Sequence, residues 1–158
     1  MSFTVPKDWT GIFDEAAQEV LETMFFAAVF GPAEHLGASS SILDPVITAE
    51  LRFEGTPSGR LQVSLTENAA RSITGNFLGS AIPEELSIEE IESVVGELAN
   101  IICGSVLSKM DGQMVFSLSH PFVSSIASTA TESIAASFEL ADGVLTARMI
   151  FDAAGGSE

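Results

Sequence analysis

Residues 47–65, ITAELRFEGTPSGRLQVSL, decide the fold. Ile47, Ala49, Leu51 and Phe53 alternate with Thr48, Glu50 and Arg52, the period-two pattern of a strand with one buried face. After the turn residues Gly55-Thr56-Pro57-Ser58-Gly59, Leu61, Val63 and Leu65 alternate with Arg60, Gln62 and Ser64. The stretch therefore predicts an antiparallel hairpin. A second one is predicted near the C-terminus, where 134–140 and 144–151 flank Ala141-Asp142-Gly143. The two are alike. Phe53-Glu54 followed by Gly59, Leu61 and Val63 parallels Phe138-Glu139 followed by Gly143, Leu145 and Ala147. Likewise Glu19-Val20-Leu21-Glu22 parallels Glu97-Leu98-Ala99-Asn100. The fold expected is α+β, with helices packed on an antiparallel sheet and a pseudo-twofold internal repeat.

Helical periodicity appears before the first hairpin and between the two. Ile12, Phe13, Ala16, Val20, Met24 and Ala27 predict a helix over 8–29, capped by Asp8 and stopped by Gly31-Pro32. Residues 33–45 read as a loop, and 66–78 as a short helix capped by Thr66. Ser87-Ile88-Glu89-Glu90 is a capping box, in which serine and glutamate satisfy free N–H groups reciprocally. It opens the longest helix, expected to reach Met110 and to stop at Asp111-Gly112. A strand near 114–118, a Ser/Thr-rich stretch over 117–133 and a mobile tail over 152–158 complete the reading. One domain over 1–158, with its core at about 8–151, is expected.

Composition excludes much. Six Lys and Arg against 22 Asp and Glu give a net charge of −16. Nucleic acids and anionic membranes are poor partners for such a chain. A single cysteine, Cys103, and two distant histidines, His35 and His120, offer no disulfide and no metal cluster. Phosphate-loop, dinucleotide, nucleophile-elbow and zinc-protease motifs are missing. The N-terminus has no secretory pattern and the apolar runs near 24–29 and 98–107 are short for a bilayer span, so a cytoplasmic location is expected.

The long helix is the informative segment. Ile91, Val94, Leu98, Ile101, Ile102 and Ser105 share a face expected to bury against the sheet. Roughly opposite lie Glu89, Ser93, Gly96, Glu97, Asn100 and Gly104. Each glycine inside a helix costs about 0.5–1 kcal/mol relative to alanine, and solvation does not explain that cost. Close approach of another backbone does: either a neighbouring helix packs there, or a partner lies against Gly96 and Gly104 with Glu97 and Asn100 projecting into it. Cys103 lies off this stripe and reads as a small buried hydrophobe.

Ser93-x3-Glu97-x2-Asn100, followed by Pro121, resembles the signature of the CheC/CheX/FliY phosphatases of bacterial chemotaxis, and Glu97-Leu98-Ala99-Asn100-Ile101-Ile102-x-Gly104 resembles the CheX branch. Asn100 to Pro121 encloses slightly fewer residues than the usual pattern, and the first helix has Glu19 and Glu22 with no Asn. The resemblance therefore implies one site per chain on a CheC-like fold. It implies hydrolysis of the aspartyl phosphate of a CheY-type response regulator. Asn100 would position the attacking water, and Glu97 would dock the receiver's lysine. Ser93, Gly96 and Gly104 would contact the partner. The resemblance also implies a homodimer and no cofactor of the protein's own, magnesium being carried by the phosphorylated receiver. A non-catalytic adaptor for a receiver or a flagellar switch protein is the alternative.

Overall fold

The computed structural model describes residues 5–32, 46–55, 58–79, 82–110, 117–118, 122–123 and 132–152. The loop expected at 33–45, the Asp111-Gly112 stop, most of the Ser/Thr-rich stretch, His35, His120, Pro121 and the tail beyond Asp152 lie outside the described residues. Both hairpins form as the alternation predicts. Strands β2 (Val46–Glu54) and β3 (Gly59–Thr66) pair with Ile47 opposite Leu65 and Leu51 opposite Leu61. Strands β6 (Glu132–Leu140) and β7 (Gly143–Phe151) pair with Ala136 opposite Ala147.

The repeat is visible in the sheet. β3 and β7 lie antiparallel at its centre, with Val63 opposite Ala147. β1 (Val29–Pro32) from the first half pairs with β6 of the second. Conversely, β4 (Ser117–Leu118) and β5 (Phe122–Val123) from the second half pair with β2 of the first. Each half thus lends an edge segment to the other's hairpin. Phe53 and Phe138 are both buried, as are Leu61 and Leu145. The paired glycines also serve alike. A Cβ at Gly59 would collide with the Ile150 carbonyl, and one at Gly143, where φ is +155°, would collide with the Thr66 hydroxyl.

Three helices, α1 (Lys7–Met24), α2 (Glu67–Leu78) and α3 (Ile88–Met110), cover the apolar face of the sheet. That face presents Ala49, Leu51, Phe53, Val63, Ala147, Met149 and Phe138, all buried in one cluster with Phe13, Leu21, Leu98 and Ile102. The other face is polar and its cross-strand neighbours pair. Thr48 meets Ser64 at 2.9 Å, Gln62 donates to Glu50 at 2.8 Å, and the Ser137 and Thr146 hydroxyls lie 2.7 Å apart. Arg52 bridges Glu54 and Asp152. Burial alone would raise the Asp152 carboxyl, but the Ser58 hydroxyl and Arg52 outweigh it and hold the group below the ordinary carboxylate range.

Helix ends differ from the sequence reading in three places. The N-cap of α1 is Pro6 rather than Asp8, with the Trp9 N–H donating to the Pro6 carbonyl at 3.1 Å. Asp8 instead lies in the first turn, where its charge suits the helix dipole. α1 stops at Met24, five residues before the expected end, and residues 29–32 form β1. Phe26 takes a left-handed conformation, φ 54°, and the Ala27 N–H returns to the Leu21 carbonyl at 2.9 Å. Asn76 of α2 donates to the carbonyls of Phe25 and Phe26 at 3.2 and 3.4 Å, satisfying acceptors that a helix end leaves free. Thr66 occupies the N-cap position of α2 without capping it; its hydroxyl accepts from the Val144 N–H at 3.2 Å.

The capping box of α3 is present. The Ser87 N–H donates to Glu90 at 2.9 Å, and the Glu90 N–H donates to the Ser87 hydroxyl at 3.1 Å. Ser87→Ala is expected to cost about 1 kcal/mol, read as a lower urea midpoint at unchanged slope. An unchanged midpoint would show that the box adds nothing to α3.

Candidate active site

α3 has the length and apolar composition of a bilayer-crossing helix, yet its apolar side is core. Ile91, Val94, Val95, Leu98, Ala99, Ile102 and Val106 are buried, while Glu89, Ser93, Glu97 and Ser108 are exposed. Ile101 and Ser105, expected on the buried face, are half-buried at its margin. Cys103 is fully buried, and burial pushes its thiol up to about 12. At neutral pH it is a thiol rather than a nucleophilic thiolate.

The structure places Glu97 exposed and Asn100 half-exposed on one side of α3. Residues three apart on a helix are neighbours, with Cβ atoms about 5–6 Å apart. Among the described residues, neither side chain has a hydrogen-bond or ion-pair partner. Ser93 lies one turn before Glu97 and is exposed. Gly104 lies one turn beyond Asn100, half-exposed, with open space where a Cβ would stand. Gly96 departs from the expectation. It is buried by the protein's own packing, between the buried Val95 and the exposed Glu97, and so it offers no surface to a partner. The accessible stripe is therefore Ser93, Glu97, Asn100, Gly104 and Ser108, with Glu97 its single charge.

The stripe has a neighbour that the sequence did not announce. Lys109, at the end of α3, lies 3.3 Å from Glu19 of α1. Glu19 is the pseudosymmetric counterpart of Glu97, so one carboxylate of the repeated pair meets a lysine while the other stands open. No spacing rule links residues 19 and 109; only the packing of α1 beside α3 joins them. The other first-helix carboxylate, Glu22, accepts from Gln18 at 3.3 Å. Among the described residues no group of three His, Cys, Asp or Glu side chains converges as a metal site would require.

A family model described as chemotaxis phosphatase CheX matches residues 47–139, more than half of the chain. The chain belongs to the CheX family. The matched span includes β2 from its second residue, β3, α2 and all of α3. Solved CheX structures share the fold. One from Desulfovibrio desulfuricans is 23% identical, covers 92% of this chain and 99% of its own, and superposes with a TM-score of 0.72. One from Vibrio vulnificus is 19% identical over 95% and 100% of the two chains, at 0.74. A third, 16% identical over 93% and 99% at 0.72, is the CheX-CheY-BeF3-Mg2+ complex from Borrelia burgdorferi. No curated protein matches the chain.

Proposed function

We propose that this CheX-family protein hydrolyses the aspartyl phosphate of a CheY-type receiver in the cytoplasm. The observation that carries the reading is the pair of polar side chains, Glu97 and Asn100, unpartnered among the described residues and one turn apart on the exposed side of a helix whose other side is core. Membership of the family supports it, as does a relative of the same fold seen with CheY.

Phosphoryl transfer asks a protein mainly for positioning and electrostatics. The Asn100 amide carries both donors and an acceptor, so it can hold a water in line with the phosphorus without removing its proton. The water oxygen bonds to phosphorus as the bond to the aspartyl oxygen breaks, releasing inorganic phosphate and the receiver's carboxylate. Magnesium and the active-site lysine belong to the receiver, the substrate of the reaction. Glu97 does not face the phosphoryl group, because like charges repel; it pairs with that lysine and fixes the register of docking. The open space over Gly104 admits the receiver's backbone, and Ser93 flanks the contact. A homodimer formed by pairing of sheet edges accompanies this reading.

The direct test phosphorylates candidate receivers with a small phosphodonor and follows their decay with and without the protein. Faster decay supports hydrolysis; binding without acceleration replaces it with the adaptor reading. Glu97→Gln is expected to raise the half-saturating concentration of phospho-receiver about tenfold, equivalent to ~1.4 kcal/mol. Unchanged half-saturation and turnover would remove Glu97 from the interface.

A further inference from the structure

A second recess lies away from the α3 stripe, between α2, the exit of α1 and the β6–β7 turn. One part is a cavity of about 180 Å³ whose lining includes Phe26, Ala28, Ile73 and Leu140 together with Asn76 and Asp142. A cavity of about 150 Å³ accommodates benzene, so this one suits a single aromatic or branched aliphatic side chain. It opens through Ser72 and Asp142, which both parts share, into a wider groove lined also by Asn68, Arg71 and Glu84.

The wall is held rigidly at a cost. Phe26 is 70% exposed in a left-handed conformation, which costs a non-glycine residue about 1–2 kcal/mol. The Asn76 amide donates to its carbonyl and to that of Phe25, and beside it Phe25 stacks on Phe77 with ring centroids 5.0 Å apart. The groove is lined by one cation, Arg71, and two carboxylates, Glu84 and Asp142. Arg71 is held by two bonds to Glu67 and one to the Leu86 carbonyl. Asp142 and Glu84 are exposed and make no ion pair among the described residues.

We infer that this recess binds a polypeptide segment of a partner protein that presents one large apolar side chain followed by a lysine or arginine. The apolar residue fills the cavity, the cation meets Asp142 and Glu84, and the Asn68 side chain offers an amide to the peptide backbone. The cavity alone would take an isolated ring. The contiguous polar groove extends the site to more than one residue, and two exposed carboxylates, unpaired among the described residues, in a chain of charge −16 select a basic neighbour.

The test titrates the isotope-labelled full chain with acetyl-Phe-Arg-amide, acetyl-Phe-Glu-amide and phenethylamine, followed by NMR. Saturable shifts confined to Phe26, Asn76, Ile73 and Asp142 are expected, with the arginine peptide about fivefold tighter than the glutamate peptide. Ala28→Trp, at an exposed wall position, is expected to weaken binding at least about tenfold. Asp142→Asn should reduce the arginine preference about threefold. Four outcomes would overturn the inference: no saturable shift at millimolar peptide, equal binding of the two peptides, phenethylamine binding as tightly as the arginine peptide, or shifts at these residues that follow protein concentration without peptide, which would mean that a second copy fills the recess.

Discussion

On the proposed reading, Asn100→Ala is expected to abolish the acceleration of phospho-receiver decay and leave the fold intact. A single well-held water that accelerates hydrolysis a hundredfold corresponds to about 2.7 kcal/mol of transition-state stabilisation, and alanine has no atom with which to hold it. The structure predicts no offsetting loss of stability. Asn100 is half-exposed and has no partner among the described residues, and alanine is the better helix former by roughly 0.5 kcal/mol. The variant should therefore unfold at an equal or slightly higher urea concentration while phospho-receiver decay returns to its spontaneous rate. Binding of the receiver should survive, because Glu97, Ser93 and Gly104 remain. Asn100→Gln sharpens the test. It keeps the amide but moves it outward by one methylene, and a misplacement of about 1 Å can cost on the order of a hundredfold. Decay unaffected by Asn100→Ala would rule out water positioning by this residue.

The parts of this protein that were legible in its sequence are those specified locally. Alternation at 47–65 and 134–151 fixes both hairpins because a half-buried strand repeats every two residues, and their likeness carries over into a sheet in which each half completes the other. α3 was legible at its start because the Ser87 and Glu90 side chains each accept from the other's backbone N–H, three residues apart. Glu97 and Asn100 were legible as a pair because three residues on a helix make neighbours. What was missed is set by distant partners. The chain leaves α1 after Met24 where Asn76, some fifty residues on, donates to the Phe25 and Phe26 carbonyls, while the Gly31-Pro32 signal lies inside β1. β1 is four residues long and owes its existence to β6, so it leaves no alternation to read. Thr66 had the chemistry of a cap, but the Val144 N–H of the neighbouring hairpin claimed its hydroxyl. Gly96 lay on the polar arc of an ideal wheel, and the packing of α3 against the body of the protein buried it.

Leu98→Ala is expected to have the opposite signature to Asn100→Ala, although it sits two residues away. Leu98 directly follows the exposed Glu97, but its side chain is fully buried in the central cluster. Truncating a buried leucine loses its transfer free energy and leaves a cavity that the surroundings fill only in part, at about 3–5 kcal/mol. Against a total stability of about 5–15 kcal/mol, that is a large share, and for a chain of this size it lowers Tm by roughly 10 °C. At low temperature, where the variant remains folded, α3 still presents Glu97 and Asn100, so turnover per folded molecule should change far less than stability. Ile102→Val, also in the core, should cost only about 0.5–1.5 kcal/mol and serves as the graded control. A loss below about 1 kcal/mol for Leu98→Ala would mean that α3 is loosely packed where the structure shows it buried. The site would then lack the rigid support that positioning a water requires. The two substitutions together separate the claims: one removes the chemistry from an intact helix, and the other weakens the core that holds the helix in place while leaving the chemistry on it.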